Sequence, residues 1–357
     1  MEPRIVVAHD YFTQRGGAER VALAIRAALP GRRLFTALHN PAATFREVEQ
    51  YDVRTSHLQA IPVLRRDPRV ALPLLPGAVG RLRVDEADLL VCSSSGFAHG
   101  ITTDAPKLVY CHNPPRWLYQ SQDYLKNQPA AVRQALRLLT PRLRRWDQAA
   151  ARTASRYLVN STAVQARVRG VYGIDATLLP PPVSLDAAGP QVPIPDLDAG
   201  FFLVVGRPRG YKNVEVACEA FRDLPHERLV VVGGLPTGEW PDRFTGVQKI
   251  SDAQLRWLYA SCTATISVAH EDFGLTPLEG NAFGKPALCL RAGGFLDTLA
   301  EGRNGWYVEE LNPAAVVAAV HRLQQNPPDE HDIRAHAAAY SPEIFAEGIR
   351  RHVADFQ

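Results

Sequence analysis

Lysine is scarce in this chain. Of 40 basic residues only Lys107, Lys126, Lys212, Lys249 and Lys285 are lysines, and the rest are arginines. Genomic GC bias accounts for such a skew, yet it marks the retained lysines as places where a compact ammonium is wanted. Cysteine is sparse as well: Cys92, Cys111, Cys218, Cys262 and Cys289 are scattered and odd in number. None has CxxC or metal-ligand spacing, so they read as buried thiols of a reducing cytoplasm rather than a disulfide framework or a metal site. No apolar run approaches the roughly 20 residues of a membrane-crossing helix. The first strand pattern begins at Arg4 with no leader before it. These features predict a cytoplasmic protein that at most touches a membrane. A net charge of +3 is too small to argue for nucleic acid. The glycine fingerprint GxGxxG and the Walker loop are both missing, which argues against an NAD oxidoreductase and a P-loop enzyme.

What is present fits a soluble α/β protein: 357 residues, 46% hydrophobic and 22% charged, enough for two domains. The most informative run is ATISVAHEDFGLTPLEGNAFGKPA. Thr263 to Ala269 reads as a buried parallel strand. Thr276-Pro277-Leu278-Glu279 reads as a helix start, with Thr276 as N-cap, Pro277 first and Glu279 third. The intervening loop, His270 to Leu275, carries Gly274. A strand entering a helix N-terminus leaves backbone N–H groups at the carboxyl edge of a sheet, where they suit a phosphate. Glu271 and Glu279 flank that anion site, and carboxylates there suit sugar or ribose hydroxyls. Locally, a capping role for Glu279 and a solvated loop at Glu271-Asp272 account for the same residues.

Similar junctions recur along the chain. Strand Arg4 to Ala8 leads through Gly16-Gly17 into a helix, and paired glycines let backbone approach a ligand closely; a plain tight turn would also explain them. Strands at Leu89 to Ser93 and Lys107 to Cys111 follow, the second ending in His112-Asn113-Pro114-Pro115-Arg116-Trp117. Strand Phe201 to Val205 leads through Gly206-Arg207-Pro208-Arg209-Gly210-Tyr211-Lys212, where Arg207 and Lys212 suit diphosphate oxygens unless they are mere surface cations. The loop Leu235 to Val247 is long enough to border a nucleotide base, and Ile250-Ser251-Asp252 opens the helix that follows. Two stretches are rich in arginine: 61–83, with Arg65, Arg66, Arg69, Arg81 and Arg83, and 133–152, with Arg133, Arg137, Arg142, Arg144, Arg145 and Arg152. The second has apolar residues at helical spacing, consistent with a packed amphipathic helix or with a face leaning on anionic lipid. The expected division is 1–184, a proline-rich linker 185–199, a second domain 200–340 and a closing helix 341–357. The DxD at Asp196-Leu197-Asp198 falls in the linker and reads as chance.

The run from Glu271 to Glu279 resembles the E-x7-E motif of retaining GT-B glycosyltransferases of family 4. GGAER, CHNPPRWLY and the G-R-x4-K of Gly206 to Lys212 are similar to other segments of that family, especially in bacterial O-antigen and exopolysaccharide mannosyltransferases. The resemblance implies a GT-B fold, two Rossmann-like βαβ domains facing a central cleft, with the last helix packed back on the first domain. It implies that Gly16 and Gly17 lie over the donor phosphates, that Arg207 and Lys212 clamp the diphosphate, and that backbone at Phe273, Gly274, Leu275 and Thr276 meets diphosphate and hexose. Glu271 and His112 would orient the hexose, Glu279 would bind the ribose, and Ile250 would lie near the base.

The expected reaction is therefore transfer of a hexose, with retention, from a nucleoside diphosphate sugar to a hydroxyl of a glycan, lipid-linked or small acceptor. Arg207 and Lys212 would stabilise the leaving diphosphate, so no metal or other cofactor is expected; such donors are typically worth about 3–4 kcal/mol each. The nearest pattern points to GDP-mannose, with a UDP-hexose transferase and a silent nucleotide-sugar binder as alternatives. The expected partners are the donor, the acceptor and an anionic membrane surface, with no nucleic acid.

Overall fold

Short runs of valine, leucine and isoleucine, each ended by polar residues, build two separate parallel sheets. The structure is a computed structural model describing residues 3–120, 130–206 and 212–356. It divides into one unit of Met1–Pro182 with Pro342–Gln357, and a second of Val183–Ser341.

The first unit contains β1 (Ile5–His9), α1 (Gly17–Ala28), β2 (Arg33–Thr36), β3 (Asp52–Thr55), α2 (Pro62–Arg66), α3 (Leu75–Val79), β4 (Arg83–Val84), β5 (Leu89–Ser94), β6 (Thr102–Thr103), β7 (Lys107–Cys111), α4 (Arg116–Tyr119), α5 (Ala130–Ala151), β8 (Arg156–Val159), α6 (Thr162–Tyr172) and β9 (Thr177–Leu178). Its main sheet runs β3-β2-β1-β5-β7-β8-β9, while β4 and β6 pair apart. Every residue of β1, β5 and β7 is buried. That is the signature of a parallel sheet covered on both faces.

The second unit contains β10 (Phe201–Val205), α7 (Val214–Arg222), β11 (Leu229–Val232), β12 (Phe244–Val247), α8 (Asp252–Ser261), β13 (Cys262–Ser267), α9 (Leu275–Ala282), β14 (Ala287–Leu290), α10 (Phe295–Thr298), β15 (Gly305–Val308), α11 (Pro313–Gln325) and α12 (Glu330–Ala338). Its sheet runs β12-β11-β10-β13-β14-β15. The closing helix α13 (Pro342–Ala354) belongs to the first unit, where Phe345, Ile349 and Val353 share a core cluster with Val21 and Ile25 of α1.

Both sheets wind outward in two directions from a central strand. The order reverses between β1 and β5 in the first and between β10 and β13 in the second. Ligands of open α/β sheets bind outside the carboxyl ends of strands at such switch points. The residues after β1, β5, β10 and β13 stand at these points.

Some elements differ from the sequence reading. β2, β3 and α12 were not anticipated, and the loop Leu235 to Val247 ends in strand β12, which pairs with β11. The stretch 185–199 is no free linker: Leu185 is buried, Ile194 and Leu197 pack on the same cluster, and the Val192 N–H donates to the Ala253 carbonyl at 3.1 Å. Isolated apolar residues among prolines have no periodicity to reveal them, yet they find apolar surface beside α8. Asp198 of the DxD is 94% exposed and faces Arg228 at 3.6 Å. All five cysteines are free and buried.

Candidate functional site

At the switch point of the second unit, β10 and β13 run side by side, Val204 opposite Ile266. Beyond β10 the chain leaves Gly206; Arg207 lies outside the described residues, and Lys212 stands before α7. Beyond β13 comes Glu271. The Lys212 ammonium donates to a Glu271 carboxylate oxygen in an ion pair whose side chains are 25% and 19% exposed. The two loops are also tied by Asn213, which sits at φ 49° and donates its Nδ2 to the Val268 carbonyl at 2.9 Å. Gly206, Lys212, Ser267 and Val268 line a small crevice here.

The Glu271 loop is clamped from behind. The Gly294 N–H donates to the Glu271 carbonyl at 3.0 Å. A Cβ on Gly294 would lie 2.3 Å from Phe273 Cα, and one on Gly293, at φ +59°, 2.4 Å from the Glu271 oxygen. Phe273 itself is buried beside Val183 and Leu278. The glycine pair therefore lets two backbones touch, which fixes the Glu271 backbone.

Helix α9 corrects one expectation. Its N-cap is Gly274, at φ 93°, and Thr276 lies inside the first turn. The TPLE pattern does suit a cap, but a left-handed glycine turns the chain one residue before Leu275, and a Cβ there would lie 2.3 Å from Phe295. Nor does Glu279 act as a capping-box residue. One of its carboxylate oxygens accepts from the Tyr259 hydroxyl at 2.7 Å. Tyr259 is fully buried, and burial followed by the Glu279 charge pushes its hydroxyl far up, so the proton stays on the phenol. The first N–H groups of α9, at Leu275 and Thr276, have no acceptor within the helix, and the helix dipole adds positive potential there.

One edge thus brings together Lys212, Glu271, Phe273, Gly274, Leu275, Thr276 and Glu279. Ile250 stands apart: it precedes Ser251, whose capping box with Gln254 opens α8, past an edge strand two places from β10.

Gly16, Gly17 and His112 lie at the carboxyl edge of the first sheet. Gly16 is the N-cap of α1 and Gly17 its first residue. A Cβ on Gly16 would lie 2.5 Å from a carboxylate oxygen of Glu19, so the glycine makes room for that buried side chain. Burial pushes the Glu19 carboxyl up, and Gln14 donates to it at 3.0 Å. His112 follows β7, with Nε2 2.7 Å from Ser93 Oγ. Its ring is neutral, since burial and then His9 lower it to about 3. Asp10, after β1, accepts from the N–H groups of Ser95, Phe97 and Ala98 at 2.6, 2.9 and 2.7 Å and pins the loop after β5. The sequence reading did not name Asp10, Glu19, Ser93, Tyr259 or the clamping role of Gly293-Gly294. Polar residues ending apolar strands, such as HD after IVVA and SSS after LLVC, were the available signal for the first unit.

An ammonium, a helix N-terminus and two carboxylates in this order suit a diphosphate flanked by hydroxylated groups. Among solved structures, HepE of Anabaena in complex with UDP-glucose aligns with a TM-score of 0.68 at 16% identity, covering 99% of this chain and 100% of that one. Sucrose-phosphate synthase of Thermosynechococcus elongatus aligns with a TM-score of 0.71 at 19% identity, covering 99% and 98%. The fold is accordingly GT-B. The sequence model for Glycosyltransferase Family 4 matches residues 15–187, and that for Glycosyl transferases group 1 matches residues 190–340. The chain belongs to glycosyltransferase family 4.

Among individual relatives, D-inositol 3-phosphate glycosyltransferase of Acidothermus cellulolyticus is 31% identical over 36% of this chain and 34% of its own length. Alpha-1,3/1,6-mannosyltransferase ALG2 of Dictyostelium discoideum is 29% identical over 30% of this chain and 34% of its own. Both alignments thus span about a third of those relatives. The Homo sapiens ALG2 aligns over 95% of this chain and 92% of its own length at 24% identity.

Proposed function

We propose that the protein transfers a hexose, with retention at the anomeric carbon, from a nucleoside diphosphate sugar to an acceptor hydroxyl. The observation that carries this reading is the Lys212–Glu271 pair at the β10/β13 switch point, beside the N-terminus of α9. In this reading the diphosphate lies on Lys212 and the Leu275 and Thr276 N–H groups, with Arg207 as a second cation. Charge that grows on the leaving diphosphate meets donors already in place. These cations supply the neutralisation a divalent metal would otherwise give, so transfer proceeds in the presence of a chelator. Glu271 orients the hexose and Glu279 holds the ribose, while His112 and the Gly16-Gly17 backbone contribute as hydrogen-bonding groups. No covalent nucleophile is needed if the leaving phosphate takes the acceptor proton.

GDP-mannose is the donor this reading favours, supported by the two ALG2 mannosyltransferases among the relatives. A UDP-hexose is the second reading, since HepE binds UDP-glucose on this fold. For the acceptor we favour a glycan or lipid-linked hydroxyl at a cytoplasmic membrane face. Arg66, Arg81, Arg137, Arg142 and Arg145 are exposed, as are the apolar Val63, Val70, Leu74 and Leu138. The side chains of Arg69 and Arg133 lie outside the described residues.

The decisive variants are Lys212→Ala and Glu271→Ala. Each lowers kcat by about 100-fold or more, with little change in melting temperature because both side chains sit on loops. Near-normal turnover in either variant refutes the assignment.

A further inference from the structure

Two histidines and a serine form a line at the carboxyl edge of the first sheet. His9 ends β1, Ser93 lies opposite it on β5, and His112 follows β7. His9 Nδ1 is 3.0 Å from Ser93 Oγ and 3.1 Å from the Ser93 carbonyl oxygen. Ser93 Oγ is in turn 2.7 Å from His112 Nε2. The three residues are 2%, 0% and 8% exposed, so protein groups rather than bulk water dictate where their protons sit.

The line has a direction. A carbonyl oxygen only accepts, so His9 makes its 3.1 Å contact by carrying the proton on Nδ1. That same N–H points toward Ser93 Oγ, which accepts it and has one proton of its own to give. The remaining neighbour is His112 Nε2, which therefore accepts. In a neutral imidazole whose Nε2 accepts, the proton resides on Nδ1.

We infer that Ser93, oriented by His9, holds His112 as the Nδ1–H tautomer, so that His112 meets its ligand as a hydrogen-bond donor and not as a general base. With Nε2 engaged by Ser93 and Nδ1 protonated, the ring has no lone pair left to take a proton from an attacking alcohol. Ser93 and His9 are positioning residues, and they act through His112. The other titratable groups around the line are Asp10 after β1, Glu19 on α1 and Tyr110 on β7. Asp10 is occupied by the three N–H groups described above, Glu19 accepts from Gln14 at 3.0 Å, and the Tyr110 hydroxyl donates to the Leu179 carbonyl at 2.9 Å. What the Nδ1–H donates to, a sugar hydroxyl or phosphate oxygen of the donor, rests on the proposed function; the tautomer itself does not.

The test is a long-range proton–nitrogen correlation spectrum of the ¹⁵N-histidine-labelled full chain, without any nucleotide. His112 is expected to show Nδ1 protonated and Nε2 bare, unchanged between about pH 5 and pH 8. Ser93→Ala should release the ring to a mixture or to Nε2–H and lower kcat by about tenfold. His9→Asn, whose amide nitrogen can stand where Nδ1 stood, should keep the wild-type signature. A wild-type His112 with its proton on Nε2, or an unchanged tautomer in Ser93→Ala, overturns the inference. A protein with the expected spectrum that transfers no hexose contradicts the proposed function and leaves the tautomer standing.

Discussion

Lysine carries three N–H donors, and the Lys212 ammonium gives one to Glu271. On the proposed function, the carboxylate holds the ammonium where the diphosphate is to lie. Glu279 is treated differently. Its partner is a buried phenol whose hydroxyl is pushed far up, so Tyr259 fixes one carboxylate oxygen and, on the proposed function, the face that meets a ribose diol. Hydrogen bonds to a charged group are worth about 1.5–3 kcal/mol. Tyr259→Phe should therefore weaken nucleoside diphosphate binding by about tenfold or more in a calorimetric titration. A 2′,3′-dideoxy analogue, with no diol to hold, should bind wild type and variant alike. An equal loss for both ligands would show that Tyr259 supports the fold rather than the ribose contact. Glu271 and Glu279 were legible because the motif is contiguous. Tyr259 and Ser93 were not, because a hydrogen bond between elements leaves no local pattern in the chain.

The junction of β13 and α9 depends on glycine at three places, Gly274, Gly293 and Gly294. The last two press the α10 entry against the Glu271 loop. Gly294→Ala forces a Cβ into the Phe273 backbone and should cost about 1–3 kcal/mol, read as a lower melting temperature. Nucleotide affinity should fall with it, because the clamped carbonyl belongs to Glu271. An unaltered melting temperature would mean that the two loops are free to separate. Asn281 and Asn304, both fully buried, brace the far end of α9 through a side-chain bond of 2.8 Å. Strong strands and helix starts could be read from the chain, since β-branched runs and capping patterns are local. The true start of α9 could not: Thr276 and Gly274 are both plausible caps, and only the packing of Phe295 against the turn decides between them. Strand β12 escaped notice because four residues at a sheet edge, FTGV, carry little apolar signal.

At the scale of the whole molecule, one winding is used twice, its strand order reversing between β1 and β5 and again between β10 and β13. Gly16-Gly17 and Gly274 each stand at a strand-to-helix junction, one in each unit. The arginine-rich stretches belong to the first unit. Helix α5 buries Leu143, Asp147, Ala150 and Ala151, with Tyr119 donating to Asp147 at 2.8 Å, so one face is committed to packing. The outward Arg137, Leu138, Arg142 and Arg145 predict co-sedimentation with vesicles containing anionic lipid, weakened by salt. Equal binding to neutral vesicles would remove the arginines' attraction to anionic lipid from the account.

The central claim concerns where the diphosphate lies. It is tested most directly by a crystal structure of the full chain with whichever of GDP, UDP and ADP raises its melting temperature most. The account predicts phosphate oxygens on the Lys212 ammonium and on the N–H groups of Leu275 and Thr276, with the ribose on Glu279. A nucleotide bound elsewhere, with that edge of the second sheet empty, would contradict it.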